Sequence, residues 1–81
     1  MMSTEELIGK AREVIMKLRN AEQLIMDGKL DDGVKLFKEA TKEAVDNGLF
    51  DNYIAIIRRI RRLIINEKHK QTSKAEAKSG T

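Results

Sequence analysis

The sequence predicts an all-α fold, an up-down-up bundle of three helices. Three observations carry that prediction. Apolar residues recur at i, i+3, i+4 through three successive stretches, proline is absent, and glycine marks two short turns between the stretches. Aromatic residues number only three, Phe37, Phe50 and Tyr53, too few for strands that want aromatic and β-branched residues in alternation.

The first helix is expected over about Thr4–Asp27. Ser3 and Glu6 have the spacing of a capping box, in which a hydroxyl takes a free N–H and the carboxylate reaches back. Leu7, Ala11, Val14, Ile15, Leu18, Ala21, Glu22 and Ile25 define one face, apolar except at Glu22. Lys10, Glu13, Lys17 and Arg19 fall largely elsewhere, and Gly28 supplies the left-handed residue that ends the helix.

The second helix is expected over 31–46, with Asp31 as its cap. Val34, Phe37, Ala40, Thr41, Ala44 and Val45 face inward. Gly33 lies on that side, where a missing side chain lets another backbone come close. Asn47-Gly48 stops the helix and Leu49 folds back over its end. The third helix is expected over 52–68, capped by Asp51, with Tyr53, Ile56, Ile57, Ile60, Leu63 and Ile64 as its stripe. Its β-branched richness suggests a strand, but the arginine pairs Arg58-Arg59 and Arg61-Arg62 keep a helical spacing. The short loops make successive helices antiparallel. Residues 1–68 thus form the bundle, and the polar, aperiodic residues 69–81 are expected to be a disordered basic tail.

The stretch from Gly28 to Ala40 resembles the heart of a tetratricopeptide (TPR) repeat. Gly28 matches the turn glycine, Leu30 the large apolar residue after it, Gly33 the small residue, and Phe37 and Ala40 the aromatic and the alanine. The first helix departs from the TPR pattern, with Lys17 and Ala21 at the aromatic and glycine places; Val45 stands near the place of the closing proline. The same stretch resembles the middle of a microtubule-interacting-and-transport (MIT) domain. That family is a TPR-like three-helix bundle of about this length, and the resemblance implies peptide binding in grooves between helices.

Composition narrows the function. There is no cysteine, hence no disulfide and no thiolate metal site; this fits a cytoplasmic location. The one histidine, His69, falls in the expected tail, and the acids fall at caps and on outer faces, so neither a catalytic group nor a cofactor or metal site is expected, and the chain reads as a non-enzyme. The opening MMSTEELIG does not read as a signal peptide, and no stretch nears the ~20 apolar residues of a membrane span.

Charge divides the chain. Residues 1–51 hold eight Lys/Arg against eleven Asp/Glu, and residues 52–81 hold eight against two. The basic half could meet an acidic protein patch or the backbone of a nucleic acid. No aromatic interleaves the arginines as a base-stacking platform. On the third helix Ile54 and Ile65 fall off the core stripe, on the side of Arg58 and Arg61, and Arg62 extends that basic side. Such a line of isoleucine and arginine suits a protein contact, with apolar area at its ends and guanidinium groups for direction. Met16 and Leu36 are likewise off their stripes. The expected function is a protein-binding adaptor or accessory subunit acting through Ile54, Arg58, Arg61, Arg62 and Ile65. The alternative is a nucleic-acid-associated accessory subunit, for example of a DNA replication or repair complex, using the basic third helix and tail. Self-association through the third helix is a further reading.

Overall fold

A computed structural model describes the backbone of residues 2–79 and the side chains of residues 2–72. The chain forms α1 (Thr4–Met26), α2 (Leu30–Asp46), a 3₁₀ turn (Asp51–Tyr53) and α3 (Ile54–Ser79), packed as an all-α, up-down-up three-helix bundle.

The two inter-helix turns share one construction. Gly28 has φ +84° and Gly48 φ +68°, the left-handed region that only glycine adopts without penalty. The Gly28 N–H donates to the Ile25 carbonyl and the Lys29 N–H to that of Leu24. At the second turn Gly48 donates to Val45 and Leu49 to Ala44. These are the paired bonds of a Schellman motif, and they satisfy carbonyls that a helix end would leave open. Leu49 is buried beneath the second turn, as its place in the sequence leads one to expect.

The helix starts differ from the expectation. Ser3 does cap α1, accepting the Glu6 N–H at 3.2 Å, but the Glu6 carboxylate meets the Ser3 hydroxyl instead of its N–H. Asp31 does not cap α2. That helix begins one residue earlier, with Lys29 at the cap position and no side-chain cap bond, and the Gly33 N–H donates to the Lys29 carbonyl at 3.0 Å. Burial of Leu30 draws it into the first turn. Asp51 does not cap α3 either. The Asn52 and Tyr53 N–H groups are taken by the Leu49 and Phe50 carbonyls in the 3₁₀ turn, which tightens as Leu49, Phe50 and Tyr53 pack onto the core.

The core is a single cluster. α1 contributes Val14, Leu18, Ala21 and Ile25, α2 contributes Leu30, Phe37, Ala40 and Ala44, and α3 contributes Ile57, Ile60 and Ile64. The α1–α2 hairpin is much more tightly packed than the contact of either helix with α3. Near its turn end is Gly33, where an added Cβ would lie 2.5 Å from Ile25 Cγ1 and 3.1 Å from both the Ala21 carbonyl oxygen and the Ile25 nitrogen.

Two residues expected on the core face are exposed. Leu7 lies below the level at which α3 begins, since the Tyr53 hydroxyl reaches the Ala11 carbonyl at 3.1 Å, so no third helix covers it. Val45 is one residue round from the buried Ala44, outside the seam. Leu36, expected off its stripe, packs against the core, while Met16 is exposed as expected.

The largest departure is the length of α3. The sequence reading ends the helix at Lys68 and makes 69–81 a disordered tail, but the helix runs on to Ser79. No glycine or proline interrupts it before Gly80, and Lys, Gln, Ala and Glu are strong helix formers. Gly80 and Thr81 lie outside the described residues. Between Ile65 and Thr72 no side chain is buried.

The glycines give a paired test. Gly33→Ala should destabilise the protein by about 1 to 3 kcal/mol, because backbone atoms of α1 cannot move aside without opening the hairpin. Gly9→Ala, with nothing within 4 Å of the new methyl, should stabilise it by about 0.5 to 1 kcal/mol through helix propensity alone. Urea denaturation of both variants measures this; a Gly33→Ala protein as stable as wild type would mean the helices can separate at no cost.

Candidate partner-binding site

Three lysines of the hairpin, Lys10, Lys17 and Lys42, pair with its acids. Lys17 of α1 is the centre of a cross-helix cluster, with its Nζ bound to Glu43, 3.4 Å from Glu39 and 3.6 Å from Glu13. The Glu43 carboxylate, and then Glu39, hold the Lys17 ammonium above its ordinary pKa against the opposing effect of partial burial. Lys42 pairs with Asp46 along α2.

Arg59 grips Glu22 of α1 through a two-pronged bond, Nε to Oε2 at 2.8 Å and Nη2 to Oε1 at 3.0 Å, and Glu22 raises the guanidinium pKa further. The polar residue in the apolar face of the first helix is thereby accounted for. Lys70 pairs locally with Glu67. Among the described residues, Arg58, Arg61, Arg62 and Lys68 form no ion pair.

Of the five residues nominated from the sequence, Arg58, Arg61 and Arg62 are exposed, Ile65 is 58% exposed, and Ile54 is half-buried. The spacing 54, 58, 61, 65 keeps four of them along one side of α3. Beside that line a groove of about 640 Å³ opens between the end of α1 and the middle of α3. Glu22 and Met26 form its α1 wall; Ala55, Arg58, Arg59, Arg62, Leu63 and Asn66 form its α3 wall. The groove therefore takes in Arg58 and Arg62 of the nominated set but not Ile54, Arg61 or Ile65.

Sequence reasoning missed Met26, Ala55 and Asn66, although a signal for them exists. Residues 55, 59, 62 and 66 recur at helical spacing, and Glu22 and Met26 are one turn apart on α1. Ala55 stands among large neighbours, and its small side chain leaves the space. Met26, at 64% exposure, presents an unbranched, adaptable apolar surface at the groove's edge.

Among the described residues no group of His, Cys, Asp or Glu could hold a metal ion, and no helix is long and apolar enough to cross a membrane. Comparison with known proteins gives no match: no family, no curated protein and no solved structure is significantly similar to this chain.

The Lys17 cluster has a definite pH signature. A group whose pKa is raised on folding contributes stability below its unfolded pKa and loses it as pH climbs through the folded value. The stability deficit of Lys17→Met should therefore be full at neutral pH and shrink as pH rises beyond 10.5, the ordinary lysine value. Urea titrations across that range read it directly. A deficit that persists undiminished at the highest pH would assign the effect to packing of the lysine stem.

Proposed function

We propose that this chain is a small non-enzymatic adaptor or accessory subunit that docks another protein on the exposed side of α3 and in the groove beside it. One observation carries the reading: Arg58, Arg61 and Arg62, which form no ion pair among the described residues, stand together on one side of α3, next to exposed apolar surface at Ile65 and Met26. Arginine beside exposed apolar side chains is the composition of a contact surface, since guanidinium groups give direction and the apolar area gives burial. The resemblance of Gly28–Ala40 to TPR and MIT hairpins supports the same reading, because those bundles take peptides between their helices.

A nucleic-acid-associated role is the second reading. It draws on the same free cations together with Lys68 on the stretch of α3 that outruns the core. The two readings part on the isoleucine. A protein contact needs Ile65, whereas phosphate contacts need only charge.

Affinity capture from the source cell, with and without nuclease, tests the choice. Ile65→Asp should lose the captured partner while melting like wild type, and nuclease should leave capture by the wild type intact. Arg58→Glu with Arg62→Glu should weaken the same contact mainly through slower, salt-sensitive association. A folded Ile65→Asp protein that keeps every partner contradicts the reading, and loss of all partners to nuclease moves it to nucleic acid.

A further inference from the structure

The groove between α1 and α3 carries free charge of one sign. Its apolar part is Met26, Ala55 and Leu63, and Glu22 is the only acid in its lining. That acid is already taken by Arg59. Arg58 and Arg62 remain, four residues apart on one helix face and so about 6 Å apart along its axis.

We propose that the occupant of this groove is an acidic amphipathic segment of a partner protein. Two of its carboxylates, one helical turn apart, meet Arg58 and Arg62, and an apolar side chain between them seats against Met26 and Leu63. The proposal rests on the docking reading above and names the chemistry of the partner.

Three arguments select that chemistry. The Arg59–Glu22 pair is an internal instance of it: a carboxylate held by both prongs of a guanidinium at the mouth of the same groove. Such two-pronged pairs are shorter and more directional than a point-charge contact, and guanidinium groups shed water more readily than ammonium groups. A neutral apolar segment would cover the two free arginines and leave them without partners, which makes it the poorer fit. A phosphate backbone would satisfy the arginines but bring nothing apolar to Met26 and Leu63, and the lining has no aromatic ring on which a base could stack.

Glu22 then has a second effect. Besides tethering α1 to α3, it neutralises one of the three groove arginines and repels an incoming carboxylate. Its replacement by glutamine frees Arg59 and should make an acidic partner bind more tightly.

The test uses the full chain labelled with ¹⁵N and three synthetic amphipathic peptides with the same leucine positions, flanked by Glu, Gln or Lys, together with a fluorescent DNA duplex. The Glu peptide should shift the amide resonances of Met26, Ala55, Leu63 and Asn66 and bind about 10-fold more tightly than the Gln peptide, an advantage that falls with added salt. Arg58→Gln combined with Arg62→Gln should erase that advantage, Arg61→Gln should preserve it, and Glu22→Gln should increase it severalfold. The arginine variants alter exposed side chains without ion pairs, so they test the proposal even if Glu22→Gln loosens the bundle. Equal binding of the Glu and Gln peptides at these residues would overturn the acidic chemistry and leave the docking reading standing. A duplex that shifts the same amides, with no response to any peptide, would overturn both in favour of nucleic acid. Silence of the groove toward every probe also overturns the proposal, while the capture experiment still decides the docking reading separately.

Discussion

The close approach of α1 and α2 at Gly33 is the constraint on which the rest of the molecule depends. No Cβ fits there, because Ile25 and the α1 backbone already occupy its place. With glycine at that point and Ala21, Ala40 and Ala44 fully buried along the same seam, the two helices sit nearly backbone to backbone. A chain of this size has little apolar area to spare, and a tight seam of small residues raises the dispersion contact that each residue makes. Leu18, Ile25 and Phe37 are buried with these small residues in the same core.

α3 is attached more loosely, and its looser attachment shapes the surface. It meets the hairpin through Ile57, Ile60 and Ile64, with the Tyr53 hydroxyl on Ala11 near its start and the Arg59–Glu22 pair farther along. Past Ile64 nothing described is buried, while the helix continues for about four turns to Ser79. Within the hairpin Glu13, Glu39 and Glu43 gather around Lys17, while Glu22 reaches across to the third helix. Arg58, Arg61 and Arg62 thus face outward without carboxylates, whereas Arg59 has Glu22 of α1 within reach. Basic charge and exposed apolar side chains then occur together on one side of the bundle, the circumstance on which the docking proposal is built.

Much of this was legible in the residues themselves. The three helices follow from periodicity, their order and antiparallel sense from short loops, and the turns from glycines whose left-handed backbone is a local property of the residue. Gly33 was readable as a point of close approach because it interrupts an otherwise apolar face. The helix starts were less legible. Asp31 and Asp51 have the chemistry of caps, but burial of Leu30 in one case and of Leu49 with its neighbours in the other drew the backbone into a different first turn. Local capping is worth about 1 kcal/mol, and burying a leucine is worth more, so packing prevailed. The end of α3 was less legible, because the polar residues past Lys68 carry no apolar stripe, although the helix formers among them continue it to Ser79.

The sequence by itself determined the all-α class, the helix order, the two Schellman turns and the segregation of basic charge into the last third of the chain. These depend on residues near one another along the chain, where spacing and backbone preference decide the outcome. Only the tertiary structure decided which arginine is consumed and which are free, and where the groove lies. Arg58, Arg59, Arg61 and Arg62 are alike in sequence; what separates them is whether α1 carries a carboxylate within reach, and that is set by the distance and rotation at which two helices pack. A groove made by Met26 and Leu63, thirty-seven positions apart, has no signature in local periodicity, because it exists only where the surfaces of two separately formed helices fail to close against each other.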